Sequence, residues 1–538
     1  MDFLRNIFTR IRRYTVTTTR SGSRFLRISR YLFHLLIWSR VKGILKQEIP
    51  GSLSATVLEK KGIHKSAPSL VFKNNNVLHH IEMGFSAVYA VLFGNLRTGN
   101  ELTSLRHSVP GPAFAGVYLW DSAFIALIWK DWDVEVAREI LLSVIELRDG
   151  DRLQHVVAGY LKSKFTQPPL IGWAAVEVAQ QMNSKQRLDF YREIYEPLTR
   201  FHQWLKKNRS LPSGLYAWEH PYESGKENAP RFSSIDESEL KDTRTMAATD
   251  FSAYMVLDCE ALETISRAIG ESRAAQEFHN EADNIRMQMN QLLWNEEDGL
   301  FYDRDHETGE FFKSNTIASL IPLVAGVPEP ARAEKLMDHI LDTRAYNTPI
   351  PLPSVALNDP DFVPDMWRGP VWINTAYLVL KGMYQYGKID EWKDLSWRLI
   401  HGVYKVIENE KQIYEFYDPR YFHTHNLNRK KGNLWKAITL GTGPQKEFVG
   451  WSGLVNTLLL ELLFGPDNRN EQTLHPHLPE QMRNCTMIVS LPEKNMTLRM
   501  KVDHNQKING RISQNGFTGK FTGHAGQEIS TLDSLDGE

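Results

Sequence analysis

Cysteine is nearly missing from this 538-residue chain, which has only Cys259 and Cys485. Two thiols so far apart exclude a disulfide framework and any metal centre built from a cysteine cluster. A reducing compartment is then the default setting. Long apolar runs are lacking as well. The run Tyr31–Trp38 contains His34 and falls far short of the roughly 20 residues that span a bilayer. No repeat of fixed period is present, which argues against a helical solenoid. Net charge is also scarce, at −1. The imbalance that exists sits in residues 1–50, where eleven Lys/Arg face two Asp/Glu. The remaining chain is mildly acidic, so it offers no broad basic face, and no nucleic-acid partner is expected for the main body.

The basic arm is rich in Arg, Ser and Thr and poor in acids. That composition fits an organelle transit segment, an amphipathic stretch lying on a membrane, or a poorly ordered tail. The expected organisation is a basic arm over 1–50, a linker over 51–75 and a helical body over 76–465. A β-rich appendage over 466–520 and a tail over 521–538 follow. The expected location is cytoplasmic unless the arm directs the chain to an organelle or a membrane.

The body has ordinary globular composition, with 42% apolar and 24% charged residues, but it holds 14 tryptophans. Aromatic faces fill cores and also pack on the C–H groups of sugars. From residue 76 onward apolar residues recur at three- and four-residue spacing. Some segments are apolar nearly all round, such as 371–387 and 449–464. Others are amphipathic, such as 133–148 and 271–295. The first kind belongs inside and the second outside. Alternation of the two predicts an all-α fold, an (α/α)6 toroid of helical hairpins. "GLFYDRDHETGEFFK" (299–313) predicts a small β-hairpin inserted in it.

Long polar loops punctuated by Trp, Gly and Pro separate the helices, and loops of this length in a compact body are commonly functional. "PGPAFAGVYLWDSAF" places Trp120 and Asp121 at a helix start, where Asp121 is either a first-turn carboxylate or a sugar ligand. "HPYESGKENAPRF" (220–232) offers Glu223 and Glu227. "PDMWRGPVWINTAYL" sets Arg368 among tryptophans, either stacked on Trp367 or Trp372 or binding a ligand. "YEFYDPRY" sets Glu415 between aromatic rings, a setting that perturbs carboxylate titration as acid–base work requires. Two carboxylates on separate loops over one end of a helical toroid suit glycoside hydrolysis.

These motifs, in this order, resemble the inverting glycosidases of glycoside hydrolase family 63, in particular its mannosylglycerate-hydrolase-like branch. They are similar more distantly to trehalases. The resemblance covers about residues 76–480. It implies that Asp121 holds the sugar in the −1 subsite, with Gln167 of "QPPLIGWA" and Arg368, Trp372 and Asn374 as further sugar contacts. It implies Glu415 as the general base and Trp451 as part of the wall. The neighbouring aromatics Trp120, Trp173, Trp367 and Tyr417 are read as substrate contacts. "ESGKENAPR" fits the family's acid-bearing loop, with Glu227 where the family has aspartate. Glu223 is read as a loop support or a sugar contact.

Lys226 stands beside the acid, where an ammonium lowers a carboxyl pKa, against what a general acid needs. Either Lys226 points away, or Lys226 or Arg231 meets an anionic part of the substrate such as a glycerate. In the second case Lys226→Met weakens glyceryl substrates far more than neutral α-glucosides. The expected activity is exo-acting, inverting α-glycoside hydrolysis of a small carbohydrate, with no metal and no cofactor. The rivals are a glucosidase or trehalase for neutral disaccharides and a carbohydrate-binding protein of impaired catalysis.

Overall fold

The computed structural model describes residues 53–73, 76–99, 102–159, 161–233, 242–430, 440–466 and 473–531. The basic arm, with its proposed membrane or targeting role, lies outside them. The helices in chain order are α1 (Ala55–Glu59), α2 (His79–Asn95), α3 (Leu119–Trp129), α4 (Val134–Glu146), α5 (Ile171–Ala179) and α6 (Ser184–Arg209). There follow α7 (Thr249–Ile269), α8 (Ser272–Leu292), α9 (Pro330–Leu341), α10 (Ile373–Gln385), α11 (Ile389–Glu410) and α12 (Leu454–Phe464). No described helix is long and apolar enough to cross a membrane.

Sequence texture sorts the helices into two kinds. Every residue of α3 is buried, and in α12 only Glu461 is not. By contrast α8 buries one stripe, Ala275, Phe278, Ala282, Ile285 and Met289, at three- and four-residue spacing. Polar side chains fix the ends. Asp133 accepts from the backbone N–H groups of Glu135 and Val136 to start α4, and Asn183 and Gln186 form a reciprocal capping box at α6. Gly270, at φ 93°, stops α7.

The buried helices touch in a closed circuit. α3 packs on α5, α5 on α7, and α7 on the 3-10 helix Ile317–Leu323; that helix packs on α10, α10 on α12, and α12 on α3. The amphipathic helices lie against this circuit: α4 on α3, α6 and α8 on α7, and α11 on α10 and α12. The member at Ile317–Leu323 is a 3-10 helix, and Pro322 within it has no N–H to donate. At the C-terminal ends of the inner helices charges meet: Lys130 and Lys381 each lie 3.3 Å from Glu177, and the Tyr377 hydroxyl donates to Glu461 at 2.6 Å.

The expected hairpin forms, with Asp303–Asp305 pairing antiparallel to Phe311–Phe312 and joined on its other side by Met246–Ala247. The β-rich appendage is a five-stranded antiparallel sheet in the order β1 (Ser69–Lys73), β2 (Cys485–Leu491), β3 (Met496–Val502), β4 (Lys507–Gln514), β5 (Phe517–His524). β1 comes from the span read as a linker. Leu70 and Phe72 alternate with exposed neighbours there, and Ser69 pairs with Ser490. The described part of the span read as a tail is also built in: β5 runs past 520, and Ile529–Ser530 pairs with Thr473–Leu474. Five residues of alternation are too few to stand out among polar neighbours.

Candidate active site

The loops that feed the inner helices bring their tryptophans together. Trp367 stacks on Trp372 with centroids 3.8 Å apart, and Trp372 stacks on Phe416 at 4.8 Å. Trp451 lies 5.4 Å from Trp372 and 5.7 Å from Trp120, and Trp120 lies 6.2 Å from Trp367. Trp120 opens α3, Trp372 caps α10, and Trp451 precedes α12, so one aromatic floor joins three helix starts. Asp121 is buried in the first turn of α3. Burial pushes its carboxyl up to about 8, with hydrogen bonds from Trp120 and its own backbone N–H opposing. Gln167 is buried beside it and accepts from the Trp120 N–H at 3.4 Å. Asn374, wholly buried in the first turn of α10, finds no protein hydrogen-bond partner for either amide atom. A buried amide left open this way is a natural docking point for hydroxyls.

The acid-bearing loop is organised by its charges. Glu223 is completely buried and accepts from both forks of Arg209, at 2.9 and 2.8 Å, and from the backbone N–H of Glu219 and Thr166. It is therefore a loop support rather than a sugar contact. Gly225 turns left-handed at φ 69°, and a Cβ there would lie 2.4 Å from the Trp120 ring. Only glycine lets the loop lie on that indole.

Lys226 is buried beside the tryptophan floor, its ammonium 5.6 Å from the centre of the Trp120 ring and 5.9 Å from that of Trp367. Its ammonium donates to Asp250 at 2.8 Å and to the Tyr254 hydroxyl at 3.2 Å. Arg231 holds Asp250 bidentately and also reaches Asp303 at 3.0 Å. Two cations and two carboxylates thus form one buried cluster, with Asp250 held well below the carboxylate range: burial opposes this, and Arg231 and Lys226 outweigh it. The expectation that Lys226 or Arg231 meets a substrate anion is corrected here, because both cations already have carboxylate partners.

Glu227 is half-buried, and Lys430 Nζ stands 3.5 Å from its Oε1. Its neighbour Asn228 accepts from the Trp367 N–H at 3.1 Å and donates to the Asp365 carbonyl, which ties the loop to the tryptophan floor. Glu415 is buried. Its N–H donates to the Gln445 carbonyl at 3.0 Å, and its carboxylate accepts from the Gln445 N–H. Trp451 Nε1 donates to the Glu415 carbonyl at 2.7 Å. The Arg429 guanidinium forms an ion pair with the Glu415 carboxylate, an arrangement that favours its charged form. Burial draws Arg429 down to about 10, against the fields of Glu227 and Asp365. Arg429 therefore stands in the field of both candidate catalytic carboxylates.

Three expected contacts are placed elsewhere. Trp173 packs on Phe124, behind Trp120, with Lys381 6.0 Å over its ring. Tyr417 is fully buried; its hydroxyl accepts from the Tyr414 N–H and its backbone pairs with Val371. Arg368 is not stacked on the tryptophans: it donates to Ser233 at 3.0 Å and pairs with Asp361. Sequence reading missed Arg429 and Lys430. Their signal was the basic run "NRKK" at 428–431, inside a loop already marked by its length. It also missed Asp250 and Asp303, whose partners only the fold reveals.

Among the described residues, His202, Cys259 and Glu281 have the spacing to hold a metal ion. His202 is already paired with Asp258 at 2.9 Å, its Nε2 stands 3.4 Å from Glu281, and Lys206 lies 2.8 Å from Glu281, so the group reads as an ion-pair clamp between α6, α7 and α8.

Residues 115–421 match the family described as the mannosylglycerate hydrolase MGH1-like glycoside hydrolase domain. Mannosylglycerate hydrolase of Thermus thermophilus is 27% identical over 372 residues, which is 56% of this chain and 88% of that protein. Mannosylglycerate hydrolase MGH1 of Selaginella moellendorffii is 24% identical over 375 residues, 56% of this chain and 75% of that one. The fold is that of a family 63 mannosylglycerate hydrolase from Thermus thermophilus, solved with Tris and D-glycerate; it matches 69% of this chain and 99% of its own, with a TM-score of 0.59 at 22% identity. The matched span takes in the Glu227 loop, the tryptophan floor up to Trp372 and the Glu415 loop, and on it the chain belongs to the mannosylglycerate hydrolase MGH1-like family and is a glycoside hydrolase.

Proposed function

We propose that the chain is an exo-acting, inverting α-glycosidase for small α-glucosides or α-mannosides, glycosylglycerates among them, built as an (α/α)6 toroid. The closed circuit of inner helices supports the toroid. The charged cluster around Glu177 at the far ends of those helices supports a single mouth and end-on action. The observation that carries the catalytic reading is the buried, arginine-paired Glu415 set against a second carboxylate, Glu227, on a different loop. Glu227 gives its proton to the glycosidic oxygen as the C1–O bond breaks. Glu415 takes a proton from a water whose oxygen bonds to C1 from the opposite face, so the anomeric configuration inverts. Room for that water calls for a carboxyl separation of roughly 6.5–9.5 Å. Asp121, Gln167 and Asn374 hold the non-reducing sugar over the tryptophan floor.

The test is proton NMR of fresh digests of mannosylglycerate, glucosylglycerate, trehalose and an aryl α-glucoside. From the two glycerates and the aryl glucoside the β-anomer appears first; trehalose gives α and β together, because its leaving glucose keeps its α configuration. Glu227→Gln and Glu415→Gln each lower kcat by about 10²–10⁴-fold. First release of the α-anomer from a glycerate or the aryl glucoside overturns inversion. One observation favours a second reading, a binding protein of impaired catalysis: Lys430 Nζ stands 3.5 Å from Glu227 Oε1, a cation where a general acid is expected. That reading requires sugar binding without turnover of any of the four substrates.

A further inference from the structure

Summed over its length the body is mildly acidic, and no broad basic face is expected of it. The sheet overturns that expectation locally. None of the strands β1 to β5 contains an Asp or Glu, and every Lys and Arg in them is exposed on the face away from the core. The register lays these side chains out in two dimensions. Across the sheet Val71, Ile488, Arg499, Arg511 and Lys520 stand side by side. Lys73 and Lys501 lie in the next row, and Lys507 lies one row further, opposite His524. The remaining outward positions hold Ser, Thr and Asn, whose short side chains leave the cations standing proud. The turns joining β2 to β5 hold two acids, and both are engaged. Asp503 accepts from the Asn505 and Lys507 backbone N–H groups, and Glu493 pairs with Lys65 at 2.7 Å. The opposite face is buried, and β1 packs on α2, so the sheet is held against the helical body.

Like charges directly opposite one another weaken a sheet, yet Arg499 faces Arg511. Cations on sheet edges blunt aggregation. Arg499, Lys501, Lys507 and Arg511, however, belong to β3 and β4, which have a strand on either side. An anionic partner broad enough to meet several strands at once relieves this repulsion. We propose that the outward face of the sheet docks the protein on an anionic lipid bilayer, with its cations against headgroup phosphates and carboxylates. Neighbouring strands lie about 4.8 Å apart, so the five strands present a plate about 19 Å across. A bilayer surface matches a plate. A nucleic acid offers a line of phosphates, and its single strands call for stacking rings. Among the described residues no outward position of the sheet carries Phe, Tyr or Trp. Val71, 45% exposed, and Ile488 beside it give the β1 edge an apolar patch suited to the boundary between headgroups and acyl chains. The chain N-terminal to this edge strand includes the basic arm of residues 1–50, which has the same sign of charge. The face lies wholly outside residues 115–421, the span that carries the family match. Each Lys or Arg near such a surface strengthens partition about fivefold to tenfold.

Sedimentation with lipid vesicles tests this on the full chain in about 0.1 M salt, where charges are felt over about 10 Å. The parent chain binds vesicles of equal parts phosphatidylcholine and phosphatidylserine and leaves those of phosphatidylcholine alone. The triple variant Arg499→Gln/Lys501→Gln/Arg511→Gln lowers the partition by about 100-fold or more. A control, Arg192→Gln/Lys207→Gln/Arg273→Gln, removes the same charge from exposed positions elsewhere and binds as the parent does. Arg511→Glu separates docking from folding. It sets a carboxylate between Arg499 and Lys520, so the melting temperature holds or rises while the partition falls by about 20-fold or more. No binding by the parent chain overturns the proposal. Binding by the sheet variants equal to the parent's, as the basic arm alone would give, also overturns it. So does an equal loss in the control, or a preference for a DNA duplex over the vesicles that the sheet variants abolish.

Discussion

Arg429 and Gly225 are the residues on which the rest of the site leans, and neither carries the chemistry. Arg429 gives Glu415 its counter-charge inside the protein. Removing one partner of a buried pair leaves the other charge uncompensated. Arg429→Met therefore leaves the Glu415 carboxylate without its counter-charge, and the acidic limb of the pH dependence of kcat/KM moves up. A profile that keeps its acidic limb speaks against Glu415 as the base. Gly225→Ala forces a left-handed alanine into Trp120, at a cost on the order of 1–3 kcal/mol. Thermal unfolding and kcat both fall, because the loop that moves is the one carrying Glu227.

How far single residues were legible depends on what they touch. Trp120, Asp121, Glu227 and Glu415 sit in motifs that stand out in the sequence by their content. Lys226 reads as an odd charge beside an acid, and only the fold discloses Asp250 as its partner, 24 residues on. Lys226→Met is accordingly a stability variant, losing on the order of 3–5 kcal/mol in denaturant titration rather than substrate preference.

The elements were legible wherever burial wrote a period into them. α8 and α11 show their stripes, and α3 shows its lack of one. What periodicity could not show is how neighbouring elements are riveted. His202 on α6 sits between Asp258 on α7 and Glu281 on α8. Burial opposes its charge, yet hydrogen bonds to Asp258 and Glu281 outweigh this and raise its pKa from 6.5 to about 9. A raised pKa means stability that is complete below about 6.5 and is lost as pH climbs through about 9. The clamp contributes on the order of 3 kcal/mol at the lower end. Melting temperature should thus fall between pH 7 and 10, and His202→Gln should flatten that decline while lowering the pH 7 value. A parallel slope in both proteins removes the clamp from the account.

At the scale of the whole molecule, the sequence divides at about residue 465 into helical and β-rich parts, and the structure keeps that division while sewing it across the ends. β1 belongs to the sheet made by the last described residues, and it was invisible because a strand is recognised by its partner as much as by its own pattern. A chain that begins at residue 76 leaves the β2 edge bare. It should melt at lower temperature and associate in light scattering, whereas a monomer of unchanged melting temperature would show β1 to be dispensable. The same pairing also imposes a timetable. Ser69 leaves the ribosome about 400 residues before Ser490, its partner in the sheet. At ordinary rates of synthesis that is a wait of roughly 20–85 s. For that interval β1 is a short strand with no sheet to join, and the helical body has to fold without the seam that later fastens β1 to β2.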